Sequence, residues 1–508
     1  MATNVNTTRK FLQRLTFHVA VAIVFVSSLF SVVNAGITGK KELERIEKEN
    51  LRLKEELRLS KFVILNGQEI QKELFYIMFT MVMVVTVLEV RPYLKCSSSC
   101  SVTCKTSTTS VSESAIGTET ADIASLKGNR INSDNGKTVD FVIVGCGLPK
   151  RGMGWYHLTQ ILEMPNVNVR GVVEPFFCNP DLCQSPPKSF SDLVSSLKTK
   201  GVPCVSKISD LGPFTKTTIC LIAGRTVDNP KLFTQCITNG AKVIYLEKPG
   251  APSVPELVVM KNLAEANNVK VYIGYNKNVT PYVQKALNLK NELLAKDPSK
   301  KAEVFFCHNN SYEVKDLPEC FSRNAEGMMK NMAVHEMALL VTFFGVTVDT
   351  IAKFQVNKSP LFSEQVTVWK EGTSMPNPEY ITDFSRVAFR ITTKEGTSVS
   401  VMADRCGGNV SFAAVKGDNG EQVQKFEFPD SDTMARVDEL IKNDPEMMPY
   451  FFVQSDDYAE LKNRVVDATL NGTNAEGVAT IQIGIDALKL AEYSTKELRA
   501  ALEKKTKS

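Results

Sequence analysis

The stretch Val-Asp-Phe-Val-Ile-Val-Gly-Cys-Gly at residues 139–147 decides the fold class of the chain. Six residues rich in β-formers run directly into two glycines, a pattern typical of a buried parallel strand that ends in a tight turn. Helical apolar spacing follows at 155–164, and a second strand is predicted at 167–173, ending at Glu174. Strand, glycine turn, helix, strand and acid in this order predict a Rossmann unit, which binds a dinucleotide.

The glycines of this turn have separate tasks. Gly145 permits the tight turn, and Gly147 lets the backbone approach a pyrophosphate, which the N-terminus of the following helix attracts. The usual third glycine is displaced by an insertion at 148–151, so Gly152 or Gly154 takes its place. These four glycines form the predicted pyrophosphate site.

The acid at the end of the second strand bears on the choice of cofactor. Glu174 can accept hydrogen bonds from the ribose hydroxyls, and its charge repels a 2′-phosphate, so NAD is favoured over NADP. The insertion adds Lys150 and Arg151 beside the phosphate site, however. NADP therefore stays open as the cofactor.

Strands and helices continue to alternate beyond Glu174, with short connections. Strands are predicted at 217–223, 241–246 and 269–275, and helices at 230–239 and 255–267. This alternation predicts a parallel, doubly wound sheet in a Rossmann domain that spans 138–276. Ligands bind outside the carboxyl ends of such strands, and Lys248 follows one of those ends.

Two motifs in this half carry a family resemblance. The segment Gly-Trp-Tyr-His at 154–157 matches the end of a GxGxxGxxH pattern, and residues 239–249 end in Glu-Lys-Pro after the fifth strand. In this order the motifs resemble those of the Gfo/Idh/MocA oxidoreductases over roughly residues 138–500. The resemblance implies an α/β fold, in which the Rossmann domain is followed by a C-terminal α+β domain at 277–508. That second domain has a large open, mostly antiparallel sheet and serves substrate binding and oligomerisation.

The resemblance also implies an activity and its residues. It implies NAD(P)-dependent hydride transfer to or from a sugar, cyclitol or similar polyol-like molecule. Lys248 is then expected at the reacting oxygen, and His335 is expected to act as acid or base. Asn331 occupies the Asp position of the family's DxxxH motif. The full set predicted to bind the cofactor is Gly145, Gly147, Gly152, Gly154, Glu174, Arg225 and Glu247.

Several positions depart from the family pattern. Asn331 cannot take up a proton, Ala338 replaces the acid one turn after the histidine, and Lys277 replaces an arginine after the sixth strand. The loop at 224–229, which carries Arg225, lacks the usual PxxxH. A lone histidine in the apolar helix predicted at 328–345 is also compatible with a structural role. The alternative hypothesis is therefore a non-catalytic NAD(P)-binding sensor or scaffold tethered at a membrane.

Composition excludes other classes of protein. A net charge of +4 over 508 residues, without a basic stripe, argues against nucleic-acid binding. The four histidines form no HExxH motif, so no metal site is expected. Some cysteines lie in apolar runs like small buried hydrophobic residues, which favours a reducing compartment. These cysteines are Cys146, Cys220, Cys236 and Cys307.

The first 137 residues are interpreted as a membrane-targeting extension. The uncharged run at 15–39 is long enough to span a bilayer, and its Val-Asn-Ala ending also matches a signal-peptidase site, so anchor and cleaved signal both stay open. A shorter apolar run lies at 74–88. Between the two runs, a charged helix at 40–66 has about three coiled-coil heptads, and a charged juxtamembrane helix without coiled-coil pairing is an equal interpretation. Residues 106–137 have the composition of a flexible linker.

These features together lead to expectations about partners and location. We expect a membrane-associated protein whose catalytic body faces the cytosol, where NAD is available, with the secretory-pathway lumen as the alternative. The partners expected are a small polyol-like substrate, the membrane through its N-terminal apolar segments, and no nucleic acid. The open sheet of the second domain favours a homo-oligomer, because an exposed sheet face needs covering.

Overall fold

The computed structural model describes residues 137–370 and 379–503. The apolar runs predicted at 15–39 and 74–88 and the charged helix at 40–66 lie outside these residues, as does the linker except for Lys137. Among the helices within residues 137–370 and 379–503, none combines the length and the apolar character needed to cross a membrane.

A seven-stranded sheet forms the first half of the structure. Its strands are β1 (Val139–Val144), β2 (Val167–Val173), β3 (Cys204–Val205), β4 (Thr218–Ile222), β5 (Val243–Leu246), β6 (Lys270–Ile273) and β14 (Ala479–Thr480). Their spatial order is β14-β6-β5-β4-β1-β2-β3, and every neighbouring pair is parallel except β14 with β6. The order 6-5-4-1-2-3 of the parallel strands is that of a Rossmann fold, so the predicted doubly wound sheet is confirmed.

Strand β1 shows why this sheet forms. All six of its residues are buried, as expected for a central parallel strand covered on both faces. Val142 and Val144 face one hydrophobic core, while Phe141 and Ile143 face the other. The helices of this half are α1 (Met153–Glu163), α2 (Lys188–Thr199), α3 (Asn229–Thr238) and α4 (Val254–Ala266).

The second sheet is mostly antiparallel. Its strands are β7 (Glu303–Asn309), β8 (Ile351–Val356), β9 (Glu364–Trp369), β10 (Tyr380–Thr393), β11 (Ser398–Asp404), β12 (Ser411–Lys416) and β13 (Gln422–Phe428). The order is β13-β12-β7-β11-β10-β8, with β9 also paired to β10, and only the β11–β7 pair is parallel. The predicted α+β character of this half is therefore confirmed.

The remaining helices belong to the second half or to the C-terminal segment, which returns to the first sheet. They are α5 (Pro281–Lys296), α6 (Leu317–Arg323), α7 (Met328–Asn331), α8 (Val334–Phe344), α9 (Ser431–Asn443), α10 (Pro449–Val453), α11 (Ser455–Asn471) and α12 (Ile481–Glu503). Tyr458, Leu461 and Val465 of α11 pack into the core of the first half. The chain leaves the first sheet after β6 and returns to it at β14, so both halves depend on the C-terminal segment. The boundary at 276/277 stays a prediction.

The single helix predicted at 328–345 is wrong in one respect. The structure has two helices there, α7 and α8, separated by Met332 and Ala333. The Ala333 N–H donates to the Met328 carbonyl over 3.0 Å, five residues back, instead of continuing the four-residue pattern. No glycine or proline marks this break in the sequence. As a result, Asn331 ends one helix and His335 lies in the first turn of the next.

Candidate active site

The glycine turn brings β1 and α1 into close contact. Gly145 has a φ of +84°, and a Cβ there would lie 2.6 Å from the Cα of Gly224 at the end of β4. At Gly154, in the first turn of α1, a Cβ would collide with the Gly145 carbonyl oxygen. Only glycine fits these two positions, because the backbones themselves touch. The predicted glycines thus form a closely packed turn, and its binding of a pyrophosphate stays a prediction.

Glu174 lies directly beside this turn. Its carboxylate is 5% exposed and accepts hydrogen bonds from the Gly147 N–H (2.8 Å) and the Phe176 N–H (3.1 Å). Lys150, predicted to add positive charge near the phosphate, instead pairs with Asp444 (2.9 Å) and Glu446 (3.2 Å). Glu174 is therefore adjacent to the turn, and Lys150 forms salt bridges with carboxylates of the C-terminal segment.

The other predicted cofactor residues differ in their placement. The Arg225 side chain is 81% exposed and pairs with Asp228 over 2.8 Å, so it is not directed into the site. Gly152 precedes α1, and a Cβ there would lie 2.7 Å from the carbonyl oxygen of Cys146. Glu247 is buried beside Lys248, where it lines a pocket.

This pocket, of about 220 Å³, lies at the carboxyl ends of β4 and β5. One side is formed by Met153, Ala223, Gly224, Thr226, Glu247, Lys248 and Pro249, and the other by Glu326, Lys330 and Asn331 of the second half. This is the edge at which parallel α/β sheets bind their ligands. The structure therefore brings the Lys248 and Asn331 predicted from the sequence to one cavity.

Lys248 and Asn331 contact one another across that cavity. The Lys248 Nζ donates to the Asn331 main-chain carbonyl over 3.1 Å. Burial lowers the pKa of Lys248, although the charges of Glu247 and Glu326 oppose this shift. An ammonium has three N–H groups, so further donors are available for a bound oxygen. The sequence identified both residues but not that the contact uses the main chain of Asn331.

His335, at the start of α8, is buried and neutral. It is 8% exposed, and its Nδ1 has no hydrogen-bond partner among the described residues. Burial lowers its pKa well below the ordinary value, and the charges of Lys248 and Lys277 lower it further. Its ring lies edge-on to the rings of Tyr275 (6.0 Å) and His308 (6.2 Å). An uncharged imidazole beside a lysine is able to accept a proton.

The side chains of Lys277, His308 and Glu336 form a charged cluster next to His335 that the sequence pattern did not predict. The Glu336 carboxylate, 1% exposed, accepts from the Lys277 Nζ (2.5 Å) and pairs with the His308 Nδ1 (3.0 Å). Burial acts to raise the pKa of Glu336, but His308 and Lys277 outweigh it and hold the pKa well below its usual range. The sequence contains one indication of this cluster, which is that Lys277 follows β6 and His308 lies near the end of β7.

Neither His335 nor His308 lines the 220 Å³ pocket itself. Lys248 provides the connection, since its charge contributes to lowering the pKa of both His335 and His308. For His335 the charge of Lys248 is the largest effect on the pKa after burial, so His335 is coupled to the pocket through Lys248.

A second buried chain of polar groups lies behind the Glu-Lys-Pro segment. The His157 Nε2 is 2.9 Å from Glu247 Oε1, and the Lys462 Nζ is 3.0 Å from His157 Nδ1. Burial lowers the pKa of His157 to about 4, with a further contribution from the charge of Lys462. The ring is therefore neutral, so Nδ1 accepts from the ammonium and Nε2–H donates to the carboxylate. This chain fixes Glu247, next to Lys248, through helices α1 and α11.

Comparison with known proteins gives likeness to solved structures only. No family model matches the chain, and no curated protein matches it. Similar structures include myo-inositol 2-dehydrogenase from Lactobacillus plantarum, with 15% identity, a TM-score of 0.49 and coverage of 72% of this chain and 98% of that one. UDP-N-acetylglucosamine 3-dehydrogenase GnnA from Acidithiobacillus ferrooxidans has 12% identity, a TM-score of 0.45 and coverage of 72% and 99%.

A third similar structure is the WlbA dehydrogenase from Chromobacterium violaceum in complex with NADH and UDP-GlcNAcA. It has 14% identity, a TM-score of 0.45 and coverage of 72% of this chain and 95% of that one. The described residues themselves form a Rossmann sheet, followed by a mostly antiparallel sheet, with the pocket between the two halves. The chain thus has the two-domain architecture that its resemblance to the Gfo/Idh/MocA oxidoreductases implied.

Proposed function

We propose that this chain is an NAD(P)-dependent dehydrogenase or reductase that acts on a CH–OH group of a sugar, cyclitol or similar polyol-like substrate. The observation that carries this proposal is the position of Lys248. Its ammonium lies at the carboxyl end of β5, in a pocket between the Rossmann half and the second half, and bonds to Asn331 on the opposite side. That is where a substrate hydroxyl would meet a cofactor bound on the glycine turn.

The residues of the turn fit a dinucleotide. Gly154 allows α1 to approach the end of β1, Gly145 allows the turn to approach Gly224 after β4, and Glu174 lies within hydrogen-bond distance of Gly147. When bound, the nicotinamide supplies the carbon that accepts or donates the hydride. Glu174 would hold the adenosine ribose, and the backbone around Gly147 and Gly152 would hold the pyrophosphate. Because Lys150 is paired with Asp444 and Glu446, the charges near the ribose favour NAD.

Lys248 would stabilise the oxygen at which charge develops. Oxidation of an alcohol passes through alkoxide character, and a preorganised cation in a partly dry pocket lowers the energy of that oxygen. The bond to Asn331 orients the ammonium, and the pair of small residues Ala223 and Gly224 leaves room beside it. The polar lining residues Thr226 and Glu326 are suited to bind the other hydroxyl groups of a polyol.

His335 would take the proton of the reacting hydroxyl. It is neutral, it is coupled to Lys248, and it precedes the buried carboxylate of Glu336, whose negative charge favours the imidazolium. The Asp of the family motif is Asn331 here and cannot take up a proton. We therefore assign Glu336, held by Lys277 and His308, as the negative charge that compensates the imidazolium on His335.

A second function is favoured by one specific observation. Asn331 replaces an acid at the pocket, and the Lys248 ammonium is already bonded to its main chain. A protein that only senses the cofactor would tolerate both features. In that case NADH would bind, but no polyol would be oxidised, whereas a dehydrogenase requires binding and turnover.

Turnover by the purified full chain tests the proposal. NAD⁺ or NADP⁺ is mixed with a panel of cyclitols, free sugars and nucleotide sugars, and absorbance at 340 nm is followed. We expect reduction of NAD⁺ with at least one polyol class, and its loss in Lys248→Met. Binding of NADH without turnover of any panel member would favour the sensor, and absence of binding would reject both.

The expectations for the extension and for assembly are also proposals. We propose that residues 15–39 and 74–88 tether the protein to a membrane with the folded body on the cytosolic side, and that the second sheet mediates a homo-oligomer. Their support is the sequence pattern of the extension and the exposure of Trp369 (41%) and Tyr380 (65%) on neighbouring strands. Membrane fractionation with protease protection tests the first proposal, and light scattering of the purified protein tests the second.

A further inference from the structure

Two cysteine sulfurs meet beside the acid at the end of β2. The Sγ atoms of Cys178 and Cys204 are 3.3 Å apart, and both side chains are half-buried. Cys178 belongs to the turn that follows Glu174, and Cys204 lies on the neighbouring strand β3. The pair is therefore formed by residues 26 positions apart in the sequence, at the surface edge of the first sheet.

The backbone holds both cysteines in this arrangement. The Cys178 N–H donates to the Glu174 carbonyl over 3.2 Å, and the Glu174 N–H donates to the Val205 carbonyl over 2.8 Å. Cys204 is paired in register with Val172 of β2. For a disulfide to form, the sulfurs must close from 3.3 Å to about 2.05 Å.

A second cysteine pair shows what is distinctive about this one. Cys220 and Cys236 also adjoin, but both are 0% exposed in the core, and burial raises the pKa of Cys220 well above its ordinary value. By contrast, Cys178 and Cys204 are half-buried, and the hydrogen bond between their sulfurs lowers the pKa of Cys178, against burial and the charge of Glu174, which raise it. A thiolate that solvent can reach is the form that oxidants attack, whereas a buried neutral thiol is inert.

We propose that Cys178 and Cys204 are a redox-active dithiol that closes to a disulfide when the protein meets a peroxide. The Cys178 thiolate attacks one oxygen of hydrogen peroxide, the O–O bond breaks, and a sulfenic acid and hydroxide form. The Cys204 sulfur then attacks the sulfenic sulfur, and the S–O bond breaks. The proton of Cys204 goes to the oxygen that leaves the sulfenic sulfur, which departs as water, and the proton that Cys178 lost on ionisation converts the first hydroxide to water. The products are therefore a disulfide and two waters. Two thiols lose two electrons, and one peroxide gains them.

The expected consequence is a change in cofactor affinity, and this part rests on the proposed function. Residues 174–178 carry the ribose-binding acid, and Glu174 is bonded to Gly147 of the glycine turn. A disulfide fixes this turn to β3, so the carboxylate can no longer adjust to the ribose. We expect the oxidised protein to bind NADH more weakly, by about tenfold, and expect a thiol reductant to reverse the change.

Peptide mapping tests the bond without reference to the cofactor. The purified full chain is reduced, and the sample is divided into two portions. One portion is exposed to hydrogen peroxide and the other to buffer. Free thiols are then alkylated, and cross-linked peptides are identified by mass spectrometry. The matched variants are Cys178→Ser and Cys204→Ser, with Cys183→Ser as the control because Cys183 lies in the same loop and is also half-buried.

The outcomes separate this proposal from the proposed function. We expect a Cys178–Cys204 peptide in oxidised wild type and in Cys183→Ser, and its absence in the other two variants. Alkylation of both thiols after peroxide, or a Cys178–Cys183 link in their place, would overturn the dithiol. NADH binding to the reduced protein is measured in parallel. If the reduced protein fails to bind NADH, the proposed function fails, while the mapped disulfide stands by itself.

Discussion

The Lys248 ammonium and the Asn331 main-chain carbonyl are joined by a hydrogen bond of 3.1 Å, which connects the end of β5 to the end of α7. Because the acceptor is the main chain, replacing an acid by asparagine at position 331 leaves this bond intact. What the replacement removes is a carboxylate in the pocket. The geometry that positions Lys248 is thus independent of the side chain that departs from the family pattern.

Substitution of Lys248 tests its role at the reacting oxygen. We expect Lys248→Met to lower kcat by about 10²-fold or more, because a charge-stabilising donor is lost from the pocket. We expect the Kd of NADH to change little, since the glycine turn is untouched. Lys330→Met, a lysine that lines the same pocket but pairs with Glu492, is the matched control and should retain most of the activity. Equal losses in both variants would contradict a specific role for Lys248.

The two histidines near the pocket can be told apart by kinetics. We expect His335→Asn to lower kcat about 10²-fold, the usual scale for loss of an acid–base group, and His308→Asn to have a smaller effect. Since the pKa of His335 is lowered, the base stays neutral at neutral pH. The oxidation rate should therefore be flat through pH 6.5 and decline only at lower pH. A larger loss in His308→Asn would move the proton acceptor to the His308–Glu336 pair.

Glu174 should determine cofactor preference. In Glu174→Gln the single amide oxygen can still accept one of the hydrogen bonds from Gly147 and Phe176, and the side chain no longer repels a 2′-phosphate. We expect the ratio of NADPH affinity to NADH affinity to rise by about tenfold, equivalent to about 1.4 kcal/mol. Fluorescence titration with both cofactors measures this ratio. Asp181→Asn, an exposed acid in the following loop, serves as the control, and an unchanged ratio in Glu174→Gln would remove the acid from the ribose site.

Asp457 on α11 should make stability depend on pH. It is 4% exposed, its Oδ2 has no hydrogen-bond partner among the described residues, and burial, with the charge of Asp456, raises its pKa to about 8. A carboxyl with a raised folded-state pKa contributes its full stability below its unfolded pKa, about 3.9, and loses it as pH rises toward 8. Asp457→Asn is neutral at every pH.

The free energy of unfolding of Asp457→Asn, relative to wild type, should therefore increase between pH 5 and pH 8. We expect an increase of about 2–4 kcal/mol over this interval, measured by urea denaturation. Asp467→Asn is the matched control, because Asp467 is an exposed acid on the same helix, about three turns from Asp457. A difference between Asp457→Asn and wild type that does not vary with pH would show that Asp457 is charged in the folded protein.

The parts of the fold that depend on local pattern were predictable. The apolar run of β1 and the span 167–173 of β2 agree with the structure, because continuous apolar residues next to glycine identify a buried parallel strand. Lys248 could be placed because alternation of strands and helices gives the carboxyl edge of the sheet. The break between α7 and α8 was missed, since Met332 and Ala333 carry no local signal for it.

The charged cluster could not be predicted, for a physical reason. Glu336 lies 59 residues from Lys277 and 28 from His308, and the three side chains come from separate elements. Which long-range pairs meet depends on how the second sheet packs against α8, and sequence periodicity does not contain that information. The same holds for His157 and Lys462, which are 305 residues apart.

Binding of nicotinamide cofactor to the purified full chain tests the central claim most directly. The protein is titrated with NADH and, separately, NADPH, while the enhancement and shift of nicotinamide fluorescence are followed. We expect saturable binding of NADH, tighter than that of NADPH, and its loss when Gly154→Val blocks the contact between α1 and the glycine turn while the protein remains folded by circular dichroism. Absence of saturable binding of either cofactor would contradict the assignment of this chain as a nicotinamide-dependent oxidoreductase.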